Sequence, residues 1–171
     1  MRCLDLFCGA GGAGMGYHQA GFEVVGWDIE HHSHYPFEHH VGDALEVLAD
    51  VEYVQSFDLV HASPPCQAYT NAAKIQKQTH PDLVGPARDL LVAAGVPYII
   101  ENVPGSPLID PVMLCGSMFP GLRTYRHRLF ESNLPLAAPP HPGHMAPTTK
   151  MGRPPKDGEF MHVVGLSLIH I

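Results

Sequence analysis

Cys66 is the side chain of this chain best placed to act as a nucleophile, because two prolines precede it in a rigid turn. The turn reads Ala62-Ser63-Pro64-Pro65-Cys66-Gln67. Proline fixes its own φ and pushes the preceding residue out of the helical region, so the backbone before the thiol has little freedom. The apolar run at 57–62 predicts a buried strand that ends where the prolines begin. The thiol then lies just past the carboxyl end of a strand, which is the edge where ligands bind in open α/β sheets, although an inert core thiol explains this motif alone equally well.

A glycine-rich turn follows the first predicted strand, at residues 2–7. Residues 8–16 have glycine at positions 9, 11, 12, 14 and 16, and such glycines let a ligand approach the backbone and the amides of a helix N-terminus. Asp28 closes a second predicted strand about 20 residues further on, where nucleotide-binding α/β folds place an acid against ribose hydroxyls. A tight connection and a turn-forming aspartate are the alternative interpretations.

Two further acids follow predicted strands. Asp43 ends a brief extended piece and is predicted to N-cap a helix over residues 44–49. At the sheet edge it would also be available to an adenine amino group. Glu101 lies near the end of a predicted strand at 98–104, and a carboxyl group at a strand end beside a cleft is suited to acid–base chemistry. A helix-cap or turn role is the alternative for Glu101.

Strands and helices alternate over the first hundred residues, which predicts an α/β fold with a doubly wound, mostly parallel sheet. Apolar residues spaced three and four apart predict an amphipathic helix at 81–94, ended by Gly95. A late strand is predicted at 126–131, and the chain beyond Leu134 has the composition of a loop. The candidate side chains then meet at or near the carboxyl ends of the strands: Asp5, Asp28, Asp43, Cys66 and Glu101.

Length and composition are typical of one soluble domain. The chain has 171 residues, of which 45% are hydrophobic and 16% charged, as expected for a single core. It has no secretory signal and no apolar run near the roughly 20 residues that span a bilayer, so we expect no membrane partner and a cytoplasmic location.

The charge is unevenly distributed along the chain. The net charge of −7 argues against a generally basic surface that coats nucleic acid. Residues 121–156, the basic segment, nevertheless contain six arginines and lysines and one acid. This segment is compatible with local phosphate contact, and a solvated proline-rich loop is the alternative.

No metal centre is expected from the spacing of the cysteines. Cys3, Cys8, Cys66 and Cys115 form no Cys-x-x-Cys pair and no framework pattern, so neither a zinc site nor a disulfide scaffold is predicted. Five histidines between positions 31 and 40 lack a helical repeat or cysteine partners and are interpreted as part of a solvated loop.

Taken together, four motifs in this order resemble the cytosine-5 DNA methyltransferases of bacterial and phage modification systems. They cover residues 1–132 and read Asp5-Leu6-Phe7-Cys8-Gly9-Ala10-Gly11-Gly12, Ser63-Pro64-Pro65-Cys66-Gln67, Glu101-Asn102-Val103 and Arg126-His127-Arg128. The resemblance implies a Rossmann-like fold that uses S-adenosylmethionine. It also implies that the cofactor is bound by Phe7, Gly9, Gly11, Asp28, Ile29, Asp43 and Pro65.

The same resemblance implies the catalytic roles. Cys66 is similar to the nucleophile that attacks carbon 6 of cytosine, and Glu101 matches the acid that contacts ring nitrogen 3. Arg126 and Arg128 match the basic pair that steadies the base and the cysteine loop. The implied partner is double-stranded DNA with a flipped cytosine, and we expect the protein to act as a monomer.

Two features depart from the family pattern. Thr124 stands where the family has glutamine, and the last residues do not resemble the family's final Gly-Asn segment. We therefore expect residues 1–132 to form the catalytic domain and 133–171 to be a loop-rich remnant of the target-recognition region, truncated or frame-disturbed at the C-terminus. An inactive cofactor-binding fragment and a methyltransferase acting on transfer RNA are the alternative functions.

Overall fold

The computed structural model describes residues 1–69, 81–149, 154 and 156–162, and its centre is a seven-stranded sheet. The strands are β1 (Arg2–Leu6), β2 (Glu23–Asp28), β3 (Glu38–Val41), β4 (Leu59–Ala62), β5 (Tyr98–Asn102), β6 (Val112–Cys115), β7 (Thr124–Tyr125), β8 (His127–Ser132) and β9 (Met161–His162). Seven of these nine strands in the described residues form the sheet, and β7 and β9 form a separate pair. The helices are α1 (Gly12–Gln19), α2 (Ala44–Ala49), α3 (Val51–Val54) and α4 (Val84–Ala94).

The sheet order confirms the predicted α/β fold. The strands lie in the order β3-β2-β1-β4-β5-β8-β6. The first five in the chain pair in parallel, whereas β8 runs antiparallel to both β5 and β6. Because β1 lies between β2 and β4, the chain reverses its direction of travel across the sheet there. Such a reversal is the usual ligand-binding position of a doubly wound sheet.

The two faces of the sheet are packed differently. Alternate residues of the central strands face α2, α3 and α4 and form the main core, which includes Leu4, Leu6, Val25, Val60, Ala62, Leu91 and Ile100. The opposite face packs against α1 and carries a smaller apolar cluster around Cys3, Val24 and Leu59. That face also holds polar side chains, since Asp5 and His61 are buried among its residues.

Caps and turns fix where the elements begin and end. Asp43 accepts a hydrogen bond from the Leu45 amide, which confirms the predicted N-cap of α2. Gly95 ends α4 at φ 68°, a left-handed conformation that glycine adopts without strain. Phe7, just after β1, has φ 56°; a bulky residue rarely adopts this conformation, and it turns the chain sharply into the glycine loop.

Two local expectations were wrong. His39 and His40 belong to β3 rather than to a solvated loop, and Nδ1 and Nε2 of His39 are buried without a hydrogen-bond partner among the described residues. The chain beyond Leu134 is also not entirely loop, because β9 pairs in parallel with β7. Within the described residues, no helix is long and apolar enough to cross a membrane.

Candidate active site

The Cys66 loop is anchored to the end of β5. The amide of Asn102 donates a buried hydrogen bond of 3.0 Å to the Pro64 carbonyl, and the backbone amide of Tyr69 donates to the Cys66 carbonyl at 3.0 Å. Of the four cysteines, all of which the structure describes, Cys66 is the only one that is not buried. The loop is therefore held in place while its thiol remains reachable.

Glu101 lies against the same loop and is paired with Arg128. The Arg128 guanidinium contacts the Glu101 carboxylate, and the two side chains are 24% and 20% exposed. Burial raises the pKa of Glu101, while Arg128 and a hydrogen bond with Ser63 act to lower it. Because Ser63 is only three residues before the thiol, the carboxyl group and the thiol belong to one edge of the sheet.

A chain of hydrogen bonds leads from α1 to Glu101 through β4. The Tyr17 hydroxyl lies 2.9 Å from Nδ1 of His61, and Nε2 of His61 lies 2.8 Å from the Ser63 hydroxyl. Burial lowers the pKa of His61 to about 4, so its ring is neutral at neutral pH. Sequence reasoning missed Tyr17 and His61; the available signal was a histidine inside an otherwise apolar strand.

The glycine turn and the end of β2 are joined through Asp28. Its carboxylate accepts hydrogen bonds from the amides of Gly9 at 2.9 Å and Glu30 at 3.1 Å. Nε2 of His32 lies 3.4 Å from the same carboxylate. Gly11 precedes α1 at φ 85°, and no side chain among the described residues caps that helix. Ile29, beside Asp28, is 72% exposed.

Asp43 lies at a different part of the same edge. It lines a cavity of about 400 Å³ together with residues from β2, β3, α2 and α3: Trp27, Val41, Gly42, Glu46, Val47, Asp50 and Tyr53. Asp43 is the one predicted cofactor residue in this lining. The cavity adjoins the main-core face of the sheet and is bordered by two aromatic side chains and three carboxylates.

The position of Asp5 near a strand end had suggested that it lies at the open edge of the sheet with the other candidate side chains. The structure buries it instead. It is fully buried, and its Oδ2 accepts a hydrogen bond of 3.0 Å from the Tyr35 hydroxyl. Burial raises its pKa to about 7, against the lowering effect of Tyr35 and the Gly14 amide. Its Oδ1 atom has no hydrogen-bond partner within the part of the chain that is described.

The basic segment is partly neutralised by contacts within the protein. Arg128 pairs with Glu101, and Arg123 lies 3.6 Å from Asp157 in an exposed pair. Arg126 is half-buried between β7 and β8. Thr124, which stands at the position of the family's glutamine, begins β7 with its hydroxyl oxygen buried and without a partner among the described residues.

A second group of side chains, none of them a predicted site residue, converges where β6 ends and β8 begins. Metal-binding atoms of Cys115, His127, His141 and His144 all lie within 4.8 Å of one another. The expectation of no zinc site rested on the spacing between cysteines, whereas this group contains one cysteine and three distant histidines. A His-x-x-His pair at 141 and 144 was the signal that could have found it.

The doubly wound sheet and the side chains at the carboxyl ends of its strands are those of a methyltransferase-like α/β protein. Comparison with known sequences identifies its family. Residues 1–104 match the family model for C-5 cytosine-specific DNA methylase. The chain therefore belongs to that family.

Sequence relatives carry the names of Type II methyltransferases. The chain is 31% identical over 83 residues to M.HgiGI of Herpetosiphon aurantiacus, covering 43% of this chain and 66% of that protein. It is 33% identical over 121 residues to M.NgoFVII of Neisseria gonorrhoeae, covering 61% of this chain and 30% of that protein. The matched part thus spans less than two thirds of each relative.

Solved structures of similar fold include two methyltransferases of low sequence identity. A DNMT2 variant from Spodoptera frugiperda has a TM-score of 0.51 and 18% identity, covering 95% of this chain and 58% of that one. The methyltransferase EhMeth from Entamoeba histolytica has a TM-score of 0.50 and 18% identity, covering 76% and 51%. At these identities the likeness confirms the Rossmann-like methyltransferase fold.

Proposed function

We propose that this protein transfers a methyl group from S-adenosylmethionine to carbon 5 of cytosine in DNA, through a covalent bond between Cys66 and carbon 6. The observation that carries the proposal is the anchoring of the Cys66 loop against the Glu101–Arg128 pair, through Ser63 and Asn102. In a member of the C-5 cytosine-specific family, an accessible thiol on a loop whose Ser63 contacts a half-buried carboxyl group suits nucleophilic attack on a base.

The thiol solves the main chemical difficulty of the reaction, which is that carbon 5 of cytosine is a poor nucleophile. Addition of the Cys66 thiolate to carbon 6 pushes electrons toward ring nitrogen 3 and makes carbon 5 enamine-like. Glu101 donates a proton to nitrogen 3 as the thiolate adds, and its burial favours the protonated form. S-adenosylmethionine supplies an electrophilic methyl group, and loss of the carbon 5 proton then expels Cys66.

Arg128 has a positioning role in this proposal. Its contact with Glu101 orients the carboxyl group, and its charge opposes the effect of burial on the pKa of Glu101. Arg126 lies two residues before Arg128, between β7 and β8, and is proposed to steady the base and the cysteine loop. Both arginines therefore act around the flipped pyrimidine rather than on distant phosphates.

The residues at the glycine turn fit S-adenosylmethionine by their chemistry. In the part of the chain that the structure describes, the start of α1 has no side-chain cap, and a methyl group added at Gly12 would meet no neighbouring atom within 4 Å. The carboxylate of the cofactor would therefore find both free amides and room there. Asp28 offers acceptors for ribose hydroxyls and Asp43 one for an adenine amino group. With them we propose Phe7, Gly9, Gly11, Ile29 and Pro65 as the residues that hold the cofactor.

The substrate is proposed to be double-stranded DNA with the target cytosine flipped out of the stack, bound by a monomer. Flipping costs a few kcal/mol in a paired duplex, and a protein of net charge −7 must offset that cost through local contacts. We assign catalysis to residues 1–132 and propose that 133–171 belong to a target-recognition region.

Methyl transfer by cysteine variants tests this function. Wild type, Cys66→Ala and Cys3→Ala are incubated with duplex DNA and tritiated S-adenosylmethionine, and label in DNA is counted. Cys3 is buried in the sheet away from the edge, so Cys3→Ala controls for loss of a thiol and should remain active. Full activity of Cys66→Ala would refute the mechanism.

Two further measurements separate the alternative functions. Calorimetric binding of S-adenosylmethionine without transfer to any polymer would identify a protein that only binds cofactor. Competition between duplex DNA and transfer RNA in the same assay distinguishes the polymers, and the family description favours DNA. Preferential labelling of transfer RNA would overturn the proposed substrate.

A further inference from the structure

Four side chains with metal-binding atoms converge where β6 ends and β8 begins. They are Cys115, His127, His141 and His144, and their ligand atoms lie within 4.8 Å of one another. We propose that these residues form a structural zinc site that binds the ion through one thiolate and three imidazoles. None of the four belongs to the residues proposed for methyl transfer, and the site does not depend on that function.

The sheet fixes two of the four ligands relative to each other. Cys115 is the last residue of β6 and His127 the first of β8, and the two are directly paired in the antiparallel ladder. Side chains of directly paired residues lie on the same face of a sheet. The other two ligands, His141 and His144, come from the irregular segment after β8, three positions apart in Pro140-His141-Pro142-Gly143-His144.

Two of the distances within the group match the edges of a tetrahedral zinc centre. With zinc–sulfur and zinc–nitrogen bonds of about 2.3 and 2.05 Å, tetrahedral geometry separates two nitrogens by about 3.3 Å and a sulfur from a nitrogen by about 3.5 Å. Nε2 of His127 lies 3.2 Å from Nε2 of His141. Sγ of Cys115 lies 3.5 Å from Nε2 of His144.

Neighbouring side chains hold the ligands in this arrangement. The Ser117 hydroxyl donates a hydrogen bond of 3.2 Å to Sγ of Cys115. The His144 ring stacks on Tyr125 at 3.9 Å between centroids, and the Ala146 amide donates to the Tyr125 hydroxyl at 2.8 Å. Such outer contacts orient the ligands of metal sites and tune their affinity.

The donor set selects the ion. A thiolate with three imidazoles suits zinc rather than calcium or magnesium, which prefer oxygen ligands. Four protein ligands complete a tetrahedron, which is typical of a structural rather than a catalytic zinc. Cys115 is buried while His141 and His144 are exposed, so an ion can reach the site from solvent.

Bound zinc would hold the segment after β8 in place, because the described part of that segment has no helix or strand of its own to do so. Between residues 133 and 149 the chain forms no helix or strand, and within the described ranges this segment is joined to another by the isolated bridge from Thr148 to Phe160. Binding removes the thiol proton of Cys115 and fixes the imidazole tautomers, so its free energy adds to the stability of the folded segment.

Metal analysis of the purified full chain tests the proposal. We expect about one zinc per chain after dialysis in wild type, and none in Cys115→Ser or His141→Gln. The matched controls are Cys66→Ser and His34→Gln, which remove a reachable thiol and an exposed imidazole outside the group and should retain the zinc. Ser117→Ala is expected to weaken zinc binding about 10-fold.

Cobalt binding to wild type tests the site without any ligand variant, and it therefore applies even if such a variant fails to fold. Cobalt(II) added to the metal-free chain should give the intense visible bands of a four-coordinate ion and one thiolate charge-transfer band, and zinc should displace it. A weak six-coordinate spectrum, an absence of bound zinc, or full zinc retention by folded Cys115→Ser would overturn the proposal. Neither result depends on whether the protein methylates DNA.

Discussion

Asp5 and His61 are buried titratable side chains whose pKa values are displaced in opposite directions. Their effects on the pH dependence of stability therefore oppose each other, and replacing either residue separates the two effects. Asp5 is 0% and His61 2% exposed. Burial raises the pKa of Asp5 from 3.8 to about 7. Burial lowers the pKa of His61 from 6.5 to about 4. Both groups lie on the face of the sheet that packs against α1.

The two displacements have opposite signs as contributions to the free energy of unfolding. Between about pH 4 and 7 the folded protein keeps the Asp5 proton that the unfolded chain has released, so stability falls as pH rises. Between about pH 4 and 6.5 the unfolded chain holds a proton on His61 that the folded protein lacks, so stability rises. At about 1.4 kcal/mol per pKa unit, the contributions are about 4 kcal/mol for Asp5 and about 3 kcal/mol for His61, and they nearly cancel in wild type.

Urea unfolding between pH 4 and 7.5, followed by the fluorescence of the single tryptophan, Trp27, measures each contribution. Asn at position 5 still accepts the Tyr35 hydrogen bond, and the stability of Asp5→Asn should rise relative to wild type by about 4 kcal/mol from pH 4 to 7. The stability of His61→Gln should fall relative to wild type by about 3 kcal/mol from pH 4 to 6.5.

Comparison with wild type at each pH removes the effect of groups that all variants share, including Glu101 and His39. Asp89→Asn replaces an exposed carboxylate on α4 and should give a curve parallel to that of wild type. A constant offset between wild type and Asp5→Asn across the whole pH range would show that Asp5 is charged in the folded state. That result would refute the reasoning from burial.

Three further predictions concern packing, ion pairing and catalysis. Glu131 is 4% exposed and binds Nε of Arg88 at 2.6 Å, so Glu131→Ala should lower the free energy of unfolding in urea by about 3–5 kcal/mol. Gly26→Ala should lower it by about 1–3 kcal/mol or more, because the added Cβ would lie 2.3 Å from Cζ of Tyr35. Glu101→Gln should reduce the rate of methyl transfer by about 10²–10⁴-fold with S-adenosylmethionine binding unchanged, as calorimetry can check; an unchanged rate would remove Glu101 from the proton transfer.

Local chemistry made much of the fold predictable. The prolines before Cys66, the N-cap at Asp43 and the glycine at position 95 act within a few residues, so their turns and helix ends follow from sequence order. The parallel sheet followed from alternating strands and helices. The edge of the sheet then placed Glu101 near the Cys66 loop, because parallel strands end on one side.

Tertiary contacts determined what could not be predicted. His39 lies in β3 because its strand pairs with β2, whose Gly26 lies directly opposite His39. The Tyr17–His61–Ser63 hydrogen bonds join residues from α1 and the end of β4. The convergence of Cys115 with three histidines depends on the pairing of β6 with β8.

A trapped covalent bond to Cys66 is the most direct test of the central claim. Duplex DNA carrying fluorine in place of hydrogen at carbon 5 of the target cytosine blocks the last step, because no proton can be lost there. With S-adenosylmethionine present, we expect a denaturation-resistant complex whose modified peptide contains Cys66, and no complex with Cys66→Ala. Methyl transfer to ordinary DNA without any adduct to fluorinated DNA, or an adduct on another residue, would contradict the account.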